Sequence, residues 1–408
     1  MEYYSRKIKS FIFHDIDNPK VHPSTYFRIA QLQSSALFPS LRHFRYDLIR
    51  SHTVASDSQI FLFVSPLLDS LELVNFKGFE NTIVAPFLAT LSSQMLNRIV
   101  LRSGLIAADV LENSIVHFEQ LRSIELSDAV LMRDFALFEV LGALPILENL
   151  TLKATEPTSF PVYDNPENSN GGSGDPNLKY FDALVTLCVT GSFFLIEHLL
   201  NFIDSTWLKS IKVFPIMPRD RDELEEDPFT PSMTIIASKW SQFLEELVIG
   251  SSRVSSRTAS SKCLMLLTDF HEMQTFNLIG WRMKNADDDM RSLVMSWPKL
   301  TALDFSRTPI SLSTLRIIAE NCPNLLSVQI SLNVFIIPAF DASSKRLDHE
   351  LEDLTLSKVS PQIALDRQIQ VSRHLDLMFP YLISIKTGDS SCGNIPQLAR
   401  LCQDVRQD

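Results

Sequence analysis

The sequence predicts an α/β solenoid of about 14 irregular repeats, with a parallel sheet on its concave side and helices on its convex side. Three observations predict it. A unit of the form L-x-x-L-x-L recurs along the chain. Its copies are evenly spaced. The stretches behind them change from an alternating to a helical period.

The clearest copies are Leu68-Leu71-Leu73, Leu121-Ile124-Leu126, Leu147-Leu150-Leu152, Leu300-Leu303-Phe305 and Leu351-Leu354-Leu356. Weaker ones are Ile8-Phe11-Phe13, Leu41-Phe44-Tyr46, Leu96-Ile99-Leu101, Leu184-Leu187-Val189, Leu208-Ile211-Val213, Leu244-Leu247-Ile249, Met273-Phe276-Leu278, Leu325-Val328-Ile330 and Leu382-Ile385-Thr387. Together they make 14 copies at intervals of 24 to 37 residues. Most intervals sit near the ~20–29 residue period of leucine-rich repeats.

Each element has a local reason. The closing L-x-L puts two apolar side chains on one face of a short strand. Val84, Phe87, Leu88 and Leu91 then fall at i, i+3, i+4 and i+7, the stripe of a half-buried helix. Leu137, Val140, Leu141 and Leu144 repeat that spacing, and Leu312, Leu315 and Ile318 follow it behind Ser311 as a cap. The acids Asp287, Asp288 and Asp289 suit the start of a helix running to Trp297, where carboxylates meet the positive dipole end. A single strand–turn–helix unit cannot bury its own apolar face, so neighbours stack into a horseshoe. Residues 1–40 are expected to hold a cap and first repeat, 41–390 the repeats and 391–408 a C-terminal cap, all in one solenoid. Residues 24–36 and 394–408 are the cap candidates, since terminal repeats need polar covers.

Three stretches read as surface insertions. Residues 156–177 are rich in Pro, Asn, Gly and Ser. Residues 215–231 carry six acids against Arg219 and Arg221, a run that favours solvent over packing. Residues 251–262 are rich in serine, and Ser256 and Ser260 each follow an arginine by three positions, a place for phosphorylation.

Composition narrows the function. Of 408 residues, 37 are basic and 48 acidic, a net charge of −11. Nucleic acid and anionic membranes require a concentrated positive field, so neither is expected as a partner. Only 11 glycines occur, which disfavours phosphate-cradling loops. Five scattered cysteines are no disulfide framework, and they imply a reducing compartment. The first residues hold no apolar signal core. The most apolar run, Phe193 to Ile203, is broken by Glu197 and His198 and is too short to span a bilayer. A cytoplasmic or nuclear location is therefore expected.

Catalytic patterns are missing. His271-Glu272 has Thr275 where a second metal-binding histidine would stand. The cluster Asp348, His349, Glu350, Glu352 and Asp353 straddles the start of a strand, so its members point apart and read as a solvated rim. No nucleophile elbow, dinucleotide fingerprint or phosphate loop occurs. The expectation is a non-enzyme without catalytic, cofactor or metal residues.

The residues flanking the L-x-L leucines point out of the concave sheet. They place a protein-binding face on His43, Arg45, Glu72, Arg98, Arg102, Glu125, Lys153, Lys212 and Phe214, with Asp47 beside them. Arginine is enriched among interface anchors, so Arg45, Arg98 and Arg102, with Phe214, are the main expected contacts. The C-terminal half, with Ser306, Ser327, Gln329, Ser331, Thr355 and Ser357, is small and neutral.

The repeat junctions resemble those of fungal F-box-type leucine-rich repeat proteins. The segment Ile317-Ile318-Ala319-Glu320-Asn321-Cys322-Pro323-Asn324-Leu325 carries that resemblance, as do Pro39, Pro145 and Pro298 ahead of their strands. The resemblance implies substrate recognition in a cullin-type (SCF) ubiquitin ligase, with a Skp1-type adaptor and a cullin as partners. No F-box is visible ahead of the repeat at Ile8. The alternative is an inhibitor or sensor solenoid that acts without a ligase. In such repeats an asparagine or cysteine three residues past the L-x-L satisfies the turn. Here only Asn333 does so, against Phe76, Gly104, Ala129, Thr155, Ser192, Ile216, Ser252, Trp281, Thr308 and Val359. The turn backbone groups must find other partners.

Overall fold

The structure, a computed structural model, describes residues 2–14, 28–29, 36–47, 60–75, 84–91, 95–103, 106–128, 130–131, 136–154, 180–216, 229–251, 258–339, 346–360, 364–388 and 392–407. It holds a leucine-rich repeat solenoid. Fourteen strands form one sheet, in sequence order, and each falls on one of the L-x-x-L-x-L copies. The chain clusters into two compact units. The first is Met1–Ser192 with Asn201–Trp207, and the second is Phe193–Leu200 with Leu208–Asp408.

The first unit carries β1 (Ser10–His14), β2 (His43–Asp47), β3 (Ser70–Val74), β4 (Arg98–Arg102), β5 (Ser123–Ser127), β6 (Asn149–Lys153) and β7 (Thr186–Gly191). All are parallel, and the repeats stack in one register: Phe11, Phe44, Leu71, Ile99, Ile124, Leu150 and Leu187 lie side by side. From Phe44 onward these side chains are at most 1% exposed. In the first repeats phenylalanine replaces leucine, and the rings of Phe11, Phe38 and Phe44 each stack on Phe63 with centroids 4.7–5.8 Å away. Helix Ala85–Leu91 buries Phe87, Leu88 and Leu91, with Val84 just before it, as its spacing predicts. Helix Ala136–Gly142 departs slightly from expectation. It buries Leu137, Phe138 and Leu141, so bulky Phe138 takes the inward place expected of Val140, which is half-buried.

Backbone bonding shows how the missing asparagines are replaced. The carbonyl just ahead of each of β1 to β6 accepts two successive N–H groups from the following repeat. Arg42 O takes Asp69 N and Ser70 N at 2.8 and 2.9 Å, and Asp69 O takes Asn97 N and Arg98 N at 2.9 and 3.1 Å. Beyond the strands the chain turns through left-handed residues, Asn75, Ser103 and Asp128, with φ of 58°, 54° and 49°. Their N–H groups donate to the next strand, to Arg102 O, Ser127 O and Lys153 O at 2.9, 2.8 and 2.7 Å. Short polar side chains tolerate that conformation best after glycine. The informative turn residue thus stands two places past the L-x-L, not three.

The second unit carries β8 (Ser210–Pro215), β9 (Glu246–Gly250), β10 (Thr275–Ile279), β11 (Ala302–Ser311), β12 (Ser327–Asn333), β13 (Asp353–Ser360) and β14 (Ser384–Thr387). Ile211, Leu247, Phe276, Leu303, Val328, Leu354 and Ile385 share one register. Ser311 caps helix Leu312–Asn321, its Oγ accepting from Thr314 N at 3.2 Å, and Leu312, Leu315 and Ile318 are buried. The three aspartates do open a helix, Ala286–Val294. Asp287 accepts from Ser311 N and Oγ at 2.9 and 3.0 Å, and Asp289 from Ser261 Oγ at 3.0 Å. Of the non-asparagine turn residues, Thr308 is buried and its hydroxyl accepts from Met283 N at 3.2 Å.

The rim reading of His349 is overturned. The ring is 3% exposed, packs edge-on against Phe379 and sits between two backbone groups. Nε2 lies 2.9 Å from Cys322 O, and Nδ1 accepts from Leu351 N at 3.1 Å. A neutral ring with its proton on Nε2 satisfies both. Burial pushes its pKa down, outweighing the Cys322 carbonyl and the Glu350 charge. The rim pattern misled because alternating acids surround one inward residue.

The insertion at 156–177 lies outside the described residues. Of 215–231, Pro215 ends β8 and Thr230 opens helix Thr230–Trp240, while 217–228 lie outside. Of 251–262, residues 252–257, with Ser256, lie outside, and Ser260 caps helix Ser261–Met265 by accepting from Cys263 N at 3.2 Å. Of 24–36 only residues 28, 29 and 36 are described, and 394–408 contains helix Ile395–Gln407.

Candidate functional site

Seven of the nine residues expected on the binding face lie in the first unit: His43, Arg45, Glu72, Arg98, Arg102, Glu125 and Lys153. Lys212 and Phe214 lie in the second.

In the first unit the register sorts the outward side chains into columns. Ile12, Arg45, Glu72, Val100, Glu125, Thr151 and Cys188 form the middle column. His14, Asp47, Val74, Arg102, Ser127, Lys153 and Thr190 form the next, one pleat further along. Opposite charges alternate diagonally between the columns, within reach of long side chains. The result is a continuous ion-pair ladder. His14 Nδ1 stands 3.5 Å from Asp47, and Arg45 lies 3.6 Å from Asp47 and 3.4 Å from Glu72. Arg102 reaches back to Glu72 at 3.1 Å and forward to Glu125 through Nε and a terminal nitrogen at 3.0 and 2.9 Å. Lys153 closes the run on Glu125 at 3.1 Å. Val100, buried and uncharged, separates Glu72 from Glu125 in the middle column, and Arg102 on the same strand spans that interval.

Two members differ in how firmly they are held. Arg102 makes directed hydrogen bonds to both neighbours. Arg45 makes ion contacts only, and its Nε is buried without a hydrogen-bond partner among the described residues. Burial pushes the Glu125 carboxyl up, but the hydrogen bonds and charges of Arg102 and Lys153 outweigh it and hold it at about 2. The Glu125 hydrogen bond in turn raises the Arg102 pKa against the opposing effect of burial. Three carboxylates, Asp47, Glu72 and Glu125, meet three cations, Arg45, Arg102 and Lys153, so these six charges cancel.

Asp47 departs from the expected open surface. It is 5% exposed and also accepts from Asn75 Nδ2 at 2.9 Å. It anchors one end of the ladder. Sequence reasoning passed over His14 and Asn75 as its partners. Their signal is spacing: Asn75 lies one repeat, 28 residues, beyond Asp47. His43 and Arg98 stand at the starts of β2 and β4, exposed, and their side chains make no hydrogen bond or ion pair among the described residues.

In the second unit Lys212 pairs with Glu246 at 2.8 Å, and Ser210 Oγ donates to Glu246 at 2.6 Å. The Phe214 ring lies over Gly250, so close that a Cβ on Gly250 would stand 2.2 Å from a ring carbon. Further along, Gln329 Nε2 donates to Ser357 Oγ at 3.4 Å and Ser331 Oγ to Ser306 O at 2.6 Å, within the small neutral region. Asp304 is the acid that region was not expected to hold. Burial raises its pKa, opposed by the hydrogen bonds from Ser306.

Among the described residues no group of three or more His, Cys, Asp or Glu side chains is placed to hold a metal ion, and no helix is long and apolar enough to cross a membrane. No family model and no curated protein matches the chain. Among solved structures it is similar to an internalin (inlF) from Listeria monocytogenes str. 4b F2365, at 12% identity over 98% of this chain and 87% of that one, with a TM-score of 0.41. It is also similar to the Rad7 and Elc1 complex in yeast, at 14% identity over 85% of this chain and 80% of that one, with a TM-score of 0.40.

Proposed function

We propose that this chain is a non-enzymatic scaffold that binds another protein on the outward side of the sheet in its first unit. The ion-pair ladder supports this reading most directly. Around Arg45 it holds five charged side chains, Asp47, Glu72, Arg102, Glu125 and Lys153, in fixed relation across five strands, so a partner meets a surface with little rotamer freedom left to lose. Of the expected contact residues, Arg45, loosely held, and Arg98, its side chain unpaired among the described residues, are the cations free to turn to a partner. By its repeat junctions the chain is read further as a substrate-recognition protein of the F-box ubiquitin-ligase type, working with a Skp1-type adaptor and a cullin. An inhibitor or sensor solenoid without a ligase is the competing role.

Affinity purification of the tagged full chain from fungal cells, with mass spectrometry, tests both levels. The expected result is a protein partner that is lost when Arg45→Ala and Arg98→Ala are combined. Co-recovery of a Skp1-type adaptor with a cullin supports the ligase role, and a partner without them supports the inhibitor or sensor. A partner retained undiminished by the double variant overturns the docking face.

A further inference from the structure

The ladder leaves a second set of charges unbalanced. The side chains of Lys9, Arg42, His43 and Arg98 are all exposed at the N-terminal edge of β1 to β4, and none of these side chains has a hydrogen bond or ion pair among the described residues. They are close neighbours. Lys9 O accepts both Arg42 N and His43 N at 2.8 and 3.0 Å, and His43, Ser70 and Arg98 occupy consecutive strands in register. One acid lies among them, Asp69, and it is already bonded by the amide of Asn97. Two apolar side chains complete the edge. Leu67 and Met95, one residue before the leading leucines of their repeats, are 53% and 70% exposed. A chain of net charge −11 therefore gathers four unpaired basic side chains beside an apolar pair.

We infer that this edge docks an acidic segment of the partner protein, lying extended across β2 to β4, with an apolar side chain against Leu67 and Met95. This rests on the proposed protein-binding role and names the chemistry of the partner. Geometry sets the motif. His43 and Arg98 are two strands apart, about 10 Å at ~4.8 Å per strand. A segment extended as polyproline II covers about that distance in three residues at ~3.1 Å each, and its three residues per turn bring i and i+3 to the same face. Carboxylates at i and i+3 then meet His43 and Arg98 together, while Lys9 and Arg42 flank the first. Nucleic acid fits less well. A phosphate chain that followed the face would leave this edge for the charge-balanced ladder, which offers it no net positive field.

The test is selection of phage-displayed random 12-residue peptides on the immobilised full chain, followed by fluorescence anisotropy of the enriched peptides. Arg42→Glu with Arg98→Glu is the matched variant, and both sites are exposed, so its melting temperature should stay near the parent's. Enriched peptides should carry Asp or Glu three residues apart beside an apolar residue. Their affinity should fall at least about tenfold in the variant and weaken as salt rises. Neutral or basic peptides, no enrichment, or equal binding to the variant would overturn the inference. So would tighter binding of a single-stranded oligo(dT). A photo-crosslinking residue in place of Thr151 separates the two levels. If it captures a partner equally in both chains, the docking face stands and the acidic motif falls. If it captures none while acidic peptides bind the parent alone, the motif stands and the wider face falls.

Discussion

Arg102 grips Glu125 across adjacent strands with two hydrogen bonds of 3.0 and 2.9 Å, whereas Arg45 comes no closer than 3.4 Å to any carboxylate. Two arginines that look equivalent in sequence thus serve different ends. Arg102→Ala leaves Glu125 less compensated and should lower stability by about 1–2 kcal/mol, with its partial exposure holding the loss down. Arg45→Ala should change stability by less than about 0.5 kcal/mol and act on partner affinity instead. Urea denaturation of both variants checks the contrast.

Glu125 also predicts an acid transition. Its folded pKa of about 2 lies below the ordinary 4.5. The ladder's contribution is therefore fully present above about pH 4.5 and is lost as pH falls toward about 2. Melting temperatures of the parent should drop steeply in that window. Glu125→Gln should start lower at neutral pH and show a shallower drop.

His349 acts at a milder pH. Burial lowers its pKa from 6.5, so its contribution is present above about pH 6.5 and is lost as pH falls below that. Protonation would set a second N–H against Leu351 N–H. The urea midpoint should decline between about pH 7 and pH 5, and His349→Gln should flatten that part of the profile.

Gly250 and Phe214 form a matched pair. Gly250→Ala places a methyl group where the ring now lies, a clash costing about 1–3 kcal/mol. Adding Phe214→Ala should restore part of that loss, measurable as a coupling energy in a double-mutant cycle. Equal losses with and without Phe214 would remove the ring from the account.

The strands were legible because their signal is local and repeated. Leu71 and Leu73 alternate inward on β3 for the same reason that Leu354 and Leu356 do on β13. The site was legible only in part. Arg45, Glu72, Arg102, Glu125 and Lys153 were each read as outward, yet their pairing depends on which strand sits beside which, information that appears only when repeats are stacked. His349 was misread since an inward ring among acids looks solvated until its two backbone partners come into view. The turn residues Asn75, Ser103 and Asp128 lie one position ahead of the place where the repeat pattern carries its asparagine, so the pattern does not mark them.

The doubly used carbonyls ahead of the strands bear on recognition. Arg42 O and Asp69 O each already accept two amides. A visiting segment finds their lone pairs spent, so main-chain pairing offers it no purchase at these positions. It can be told from any other segment there only by its side chains, which makes that edge a reader of composition and spacing rather than of extended shape.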